Sequence, residues 1–276
     1  MSGLPAEFET NSVEGKFLNK LRGAVSLSNS FLCVGLDPDL RRLPEAVHGD
    51  VRVFLREIIS ATSDLVCAYK PNIAFYEALG EEGWKVLRDT IRSIPDHIPV
   101  ILDAKRADIG NTARMYAEAY FEDLGVDAVT VNPYMGYDAV EPFLAYGAVF
   151  VLCATTNPSA GELQLLIVEG RPLYLRVAEM ATKWAEGGEV GLVVGAKDPE
   201  AVREVRKVAS DLPFLVPGVG AQGGDLEASV RAGKDGGGVV VNVSRAVLYT
   251  SSGQDFAGAA REAAVSFVER MRKCVI

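Results

Sequence analysis

The segment ILDAKRADIGNT, residues 101–112, runs from an apolar strand-like stretch directly into Asp103, Lys105, Arg106 and Asp108. An unpaired buried charge is costly, and even a good ion pair rarely repays its desolvation. A cluster of this kind therefore belongs where an element ends in a cleft, and charged groups gathered in a cleft perturb one another and do chemistry. Asp103 and Lys105 are two residues apart, which places them on one strand face with backbones roughly 6–7 Å apart. Arg106 has the opposite parity and reads as a surface or interface residue. Asp108 lies past the strand end, so it either swings back or serves a neighbouring subunit. By itself the segment would also suit a solvated turn laced with ion pairs.

A second chemical stretch is PGVGAQGG, residues 217–224, with G-x-G-x-x-G at Gly218, Gly220 and Gly223. The dinucleotide fingerprint has to open a βαβ unit and meet an acidic residue about 20 positions on. Here only one further strand follows, so nicotinamide binding is disfavoured. Small residues that bare backbone N–H groups ahead of a helix beginning at Asp225 instead suit a phosphate. The following strand ends in NVSRA, where Arg245 adds a fork-shaped donor.

Eight short apolar runs must position these groups: 31–36, 66–69, 98–102, 128–131, 148–155, 190–194, 213–219 and 238–243. They are apolar almost throughout, as strands covered on both faces are. Helical periodicity fills the gaps, over 51–66 behind an Asp50 cap, 84–94, from Asp198-Pro199, from Asp225 to Gly233, and 255–272. An extra helix is expected over 15–27, ahead of the first strand. This alternation predicts one (β/α)8 barrel over 1–276, with its core at about 31–250; an open doubly wound sheet is the runner-up. Active sites of such barrels collect where the strands end. Those ends carry Asp37, Lys70, Asp103 with Lys105, Asn132, Thr155 with Thr156, Gln222, and Ser244 with Arg245. The stretch 157–170 is the one long irregular segment, a length more often functional than idle.

Composition narrows the classes. The net charge of −9 argues against a general nucleic-acid surface, though an anionic small molecule could enter a locally basic pocket. Two histidines, His48 and His97, leave little room for a histidine metal site or a Ser-His-Asp triad. The four cysteines form no C-x-x-C and read as reduced residues. No apolar run approaches the ~20 residues of a membrane helix, and the first residues do not look like a secretory signal. A cytoplasmic protein with no membrane partner is expected.

LDAKRADIGNT, GLDP (35–38), AYKPN (68–72), TTNPS (155–159) and PGVGAQGGD (217–225) together resemble orotidine 5′-phosphate decarboxylase, in its longer bacterial branch. The likeness runs from about residue 31 to 250. It implies a cofactor-free, metal-free decarboxylation of orotidine 5′-phosphate, with a small nucleotide as partner and no nucleic acid. It further implies a lysine–aspartate–lysine–aspartate array of Lys70, Asp103, Lys105 and Asp108, the last from the other subunit of a homodimer. By the same resemblance Lys105 donates the proton, Asp37 meets a ribose hydroxyl, Thr156 holds the pyrimidine amide, and Pro217 lines the base. Gln222 and Arg245 grip phosphate, while Ile109 and Thr112 cross the interface beside Asp108. The chain departs from another branch at Gly110, where that branch has proline, at Ser244, where it has glycine, and in the longer 157–170 segment. Two alternatives stay open: a magnesium-dependent sugar-phosphate decarboxylase or aldolase of the same scaffold, and a non-catalytic nucleotide-phosphate binder. The former looks different at Lys70, where those relatives carry a metal-binding glutamate.

Overall fold

The computed structural model describes residues 15–219, 225–234 and 236–274. Eight parallel strands form one sheet: β1 Leu32–Leu36, β2 Ala68–Pro71, β3 Ile101–Arg106, β4 Ala128–Val131, β5 Ala148–Ala154, β6 Val190–Val194, β7 Phe214–Val216 and β8 Val239–Val243. Their order is β2-β1-β8-β7-β6-β5-β4-β3. The two ends of that order meet through isolated parallel bridges, Tyr69 with Val100 and Asn72 with Asp103, and the sheet becomes a barrel. Both faces are covered, so β1, β6 and β8 are buried at every residue.

The main helices are α1 Lys16–Ser28, α2 Val51–Thr62, α3 Gly83–Arg92, α4 Gly110–Ala117, α5 Leu173–Trp184, α6 Pro199–Val208, α7 Leu226–Gly233 and α8 Phe256–Lys273. Local chemistry starts several of them. The Asp50 carboxylate accepts from the Arg52 and Val53 amides, Asp198 from those of Glu200 and Ala201, and Asp225 from Ala228. Asp198 is followed by Pro199, whose missing N–H costs nothing in a first turn. Among the described residues no helix is long and apolar enough to cross a membrane.

The expected N-terminal helix is present and plugs the barrel at the strand starts. The Glu189 carboxylate, just before β6, accepts the Phe17 and Leu18 N–H groups at 2.9 and 2.8 Å. Lys20 pairs with Asp127, just before β4, at 2.8 Å. Phe17 meets Phe150 edge-on, centroids 5.7 Å apart, within an inner cluster that includes Leu21, Cys33, Ala128, Leu215 and Val240.

Two expectations shift. Apolar runs 66–69 and 98–102 become strands placed later along the chain, because Lys70 and the Asp103–Arg106 charges continue the strands. The stretch 157–170 is not irregular. It holds a 3-10 turn Pro158–Ala160, a helical turn Gly161–Gln164, and an antiparallel ribbon pairing Ile167–Val168 with Arg171–Pro172.

Candidate active site

The strand ends enclose a cavity of about 600 Å³ whose lining includes Asp37, Lys70, Asp103, Lys105, Thr156, Pro217 and Arg245. That volume suits a nucleotide-sized ligand. Lys70 of β2 and Asp103 and Lys105 of β3 thus face one space.

Asp103 is the hub. Its Oδ2 accepts from Lys70 Nζ at 2.8 Å and from Asn72 Nδ2 at 3.4 Å; its Oδ1 accepts from Lys105 Nζ at 2.5 Å and from Thr130 Oγ1 at 3.0 Å. Strict alternation, expected for Asp103 and Lys105, is broken by a register shift against β4 between Leu102 and Arg106. Lys105 takes φ +50°, a left-handed conformation that costs a non-glycine residue about 1–3 kcal/mol. Thr130 on β4 compensates by accepting the Ala104 and Lys105 amides at 3.0 and 2.9 Å. Despite the distortion, Lys105 reaches the mouth beside Asp103, as their two-residue spacing predicts. Arg106 leaves the barrel, as parity predicts, and donates to Tyr120 Oη at 2.9 Å and Glu77 Oε1 at 2.5 Å.

Burial works against both charges of the inner pair, and each survives through its partner. Lys70 is only 3% exposed. Desolvation pulls its pKa down, yet the Asp103 and Asp37 carboxylates outweigh it and hold the ammonium above the ordinary lysine range. Desolvation likewise pushes Asp103 up, and Lys70 and Lys105 together bring it well below the usual carboxylate range. Burial pushes the nearby Cys33 thiol up to about 12, so it stays neutral.

At the β1 end, Ser244 Oγ donates to Asp37 Oδ2 at 2.6 Å, and buried Oδ1 has no hydrogen-bond partner among the described residues. Asp37 lines the cavity, and a buried acceptor left without a donor is rare enough to mark the residue as functional. Gly35 permits this arrangement, since a Cβ there would lie 2.7 Å from that of Ser244. Ser244 therefore holds Asp37. Past β7, Pro217, Gly218 and Val219 line the wall opposite the lysines, and Gly218 adopts φ +93°. Exposed Arg245 opens the short helix Arg245–Leu248 at the same rim. Gln222 lies outside the described residues.

Four expected residues stand apart from the cavity. Asp108 accepts the Ile109 N–H at 2.8 Å and does not line it; Ile109, 59% exposed, and half-buried Thr112 do not line it either. Asn132 caps the turn Pro133–Met135 by accepting the Tyr134 N–H. Conversely, sequence reasoning passed over Asn72, Thr130, Gln164 and Asn242. Asn72 and Thr130 complete the Asp103 hub, and all four line the cavity. The only sequence signal for Thr130 and Asn242 is a single polar residue inside an apolar strand.

Closed barrel and charged mouth together define a (β/α)8 protein with a cluster of fixed charge where its strands end. Comparison with known proteins narrows this. The chain belongs to the orotidine 5′-phosphate decarboxylase / HUMPS family, whose profile matches residues 30–262. It is 53% identical over 259 residues to an orotidine 5′-phosphate decarboxylase of Herpetosiphon aurantiacus, spanning 91% of this chain and 96% of that one. The OMP decarboxylase of Leishmania donovani superposes with a TM-score of 0.83 at 42% identity, covering 94% of this chain and 98% of that one. Leishmania donovani UMP synthase gives a TM-score of 0.82 at 44% identity over 92% of this chain, which spans 56% of that longer protein.

Proposed function

We propose that the chain converts orotidine 5′-phosphate to uridine 5′-phosphate, the last step of de novo pyrimidine nucleotide synthesis. The observation that carries this is the Lys70–Asp103–Lys105 array lining one cavity with Arg245 and Asp37. In this reading the phosphate meets Arg245, the Gly218–Val219 backbone and Gln222. A ribose hydroxyl donates to the Asp37 carboxylate. Thr156 holds the pyrimidine amide, and Pro217 covers the base.

The reacting C6 then stands at the array. The bond from C6 to the carboxylate breaks, carbon dioxide leaves, and the electron pair remains on C6, where no conjugated sink accepts it. The Lys105 ammonium stabilises that pair and then protonates it, giving uridine 5′-phosphate; solvent reprotonates the amine. Stabilisation directed at charge present only late in the reaction accelerates it. One ammonium at ~4 Å in an effective dielectric near 20 contributes on the order of 4 kcal/mol. The greatest enzymatic accelerations need ~20 kcal/mol, so binding of the remote phosphate and exclusion of water supply the rest. No step calls for a metal, and a buried ammonium at the β2 end repels a divalent cation there, which disfavours the magnesium-dependent alternative.

The active form in this reading is a homodimer, with Asp108 completing the partner's array and Ile109 and Thr112 beside it. Support comes from its position off its own cavity and from large apolar residues left exposed after β3 and β4: Ile109 59%, Met115 57% and Tyr134 81%. Four free, buried cysteines suit a reducing compartment such as the cytoplasm. The test is turnover of orotidine 5′-phosphate followed by loss of orotate absorbance. A binding protein holds the nucleotide without turnover, and that outcome overturns the proposal.

A further inference from the structure

The mechanism above uses the segment after β5 only as far as Thr156, yet the chain beyond it returns to the site. Gln164, at the end of the helical turn Gly161–Gln164, lines the cavity. It holds Thr155 by both ends of its amide. Its Oε1 accepts the Thr155 N–H at 2.9 Å, and its Nε2 donates to Thr155 Oγ1 at 2.7 Å. The single Thr155 hydroxyl proton goes to Asn157 Oδ1 at 2.6 Å. Oγ1 is therefore an acceptor toward position 164, and an amide satisfies both contacts where a carboxylate satisfies one.

Packing does not tether this turn. Its apolar neighbours Leu163, Leu165, Leu166 and Ile167 are 46%, 58%, 52% and 67% exposed. The polar latch ties it to the rim. On the other side, Thr156 rests against Gly195 at the end of β6, where a Cβ would stand 2.3 Å from Thr156 Cγ2. The Gly195 N–H also bonds the Ala154 carbonyl at 2.8 Å. Thr156 is thus held by β6 on one side and, through Thr155, by Gln164 on the other.

We propose that Gln164 is a positioning residue for pyrimidine recognition: by anchoring the backbone and hydroxyl of Thr155, it fixes the angle at which Thr156 meets the amide edge of the base. This rests on the function proposed above. Thr156 contacts the base before and during reaction, so loss of the latch raises KM and leaves kcat nearly unchanged.

The experiment measures kcat and KM for orotidine 5′-phosphate, and inhibition by uridine 5′-phosphate and by ribose 5-phosphate, in wild type, Gln164→Ala and Gln164→Glu. In Gln164→Ala, KM and the uridine 5′-phosphate inhibition constant rise about tenfold, the scale of one net hydrogen bond, while ribose 5-phosphate inhibition stays as in wild type. Gln164→Glu keeps the Thr155 N–H contact, loses the donor, and falls between the two. Wild-type uridine 5′-phosphate inhibition in both variants overturns the latch, and so does an equal weakening toward ribose 5-phosphate. If Gln164→Ala does not fold, the Gln164→Glu comparison decides by the same two readings. An inert wild type strikes the proposed function instead, and the two failures are distinct.

Discussion

Asp103 carries the charge balance of the site, because two ammonium groups and two neutral donors converge on one carboxylate that is itself nearly buried. Its depressed pKa contributes stability that is present above the unfolded value near 3.9 and lost as pH falls. The raised pKa of Lys70 contributes stability present below about 10.4 and lost as pH climbs past the folded value. Removing the carboxylate strands the buried ammonium, a change that typically costs about 3–5 kcal/mol. Asp103→Asn is therefore expected to lower unfolding stability by about 3 kcal/mol at neutral pH. The difference from wild type should narrow below about pH 4, where the unfolded wild-type carboxylate takes up its proton. Urea denaturation at pH 7 and pH 3 checks both parts; an equal difference at the two values refutes the assignment. The identities Asp103 and Lys105 were legible from spacing. Their common face was legible too, whereas the left-handed backbone at Lys105 was not, because no residue type there announces it.

Among the elements, α1 shows how a segment far from the chemistry supports it. Phe17 is 3% exposed and packs against Phe150 inside the barrel wall. Phe17→Ala should cost about 3–5 kcal/mol by urea denaturation, while the folded fraction keeps wild-type KM, since the helix sits at the opposite end from the mouth. A change in KM without loss of stability would contradict that division. Strands β4 and β6 coincide with their apolar runs, 128–131 and 190–194. Where a run ended in charge, as at 66–69 and 98–102, hydrophobicity stopped short of the strand, since ladder hydrogen bonding continues regardless of side-chain polarity. The ribbon and helical turn beyond Asn157 escaped notice because they are short and held by tertiary contacts such as the Gln164–Thr155 pair. A single glutamine in a polar stretch carries no period to detect.

For the whole molecule, the dimer proposal turns on Asp108, which this chain leaves outside its own cavity. Lys105→Ala removes about 4 kcal/mol of charge stabilisation, a loss on the order of a thousandfold in turnover. Asp108→Ala should also be nearly inactive. Mixed together and allowed to exchange subunits, the two should recover part of the wild-type activity, because one of the two sites in a heterodimer is intact. Exchange without recovery would remove Asp108 from the partner's site. The barrel itself was readable from eight alternating runs, whereas the proposed dimer would rest on surfaces that one chain's periodicity does not describe. Strands β2 and β3 are joined by isolated bridges, and the Lys70–Asp103 ion pair spans that joint. The cylinder is thus fastened at its thinnest hydrogen-bonded margin by the charges proposed to act on the nucleotide. Mutational drift that weakens this pair also slackens the staves, so the proposed chemistry and the closure are inherited or forfeited together.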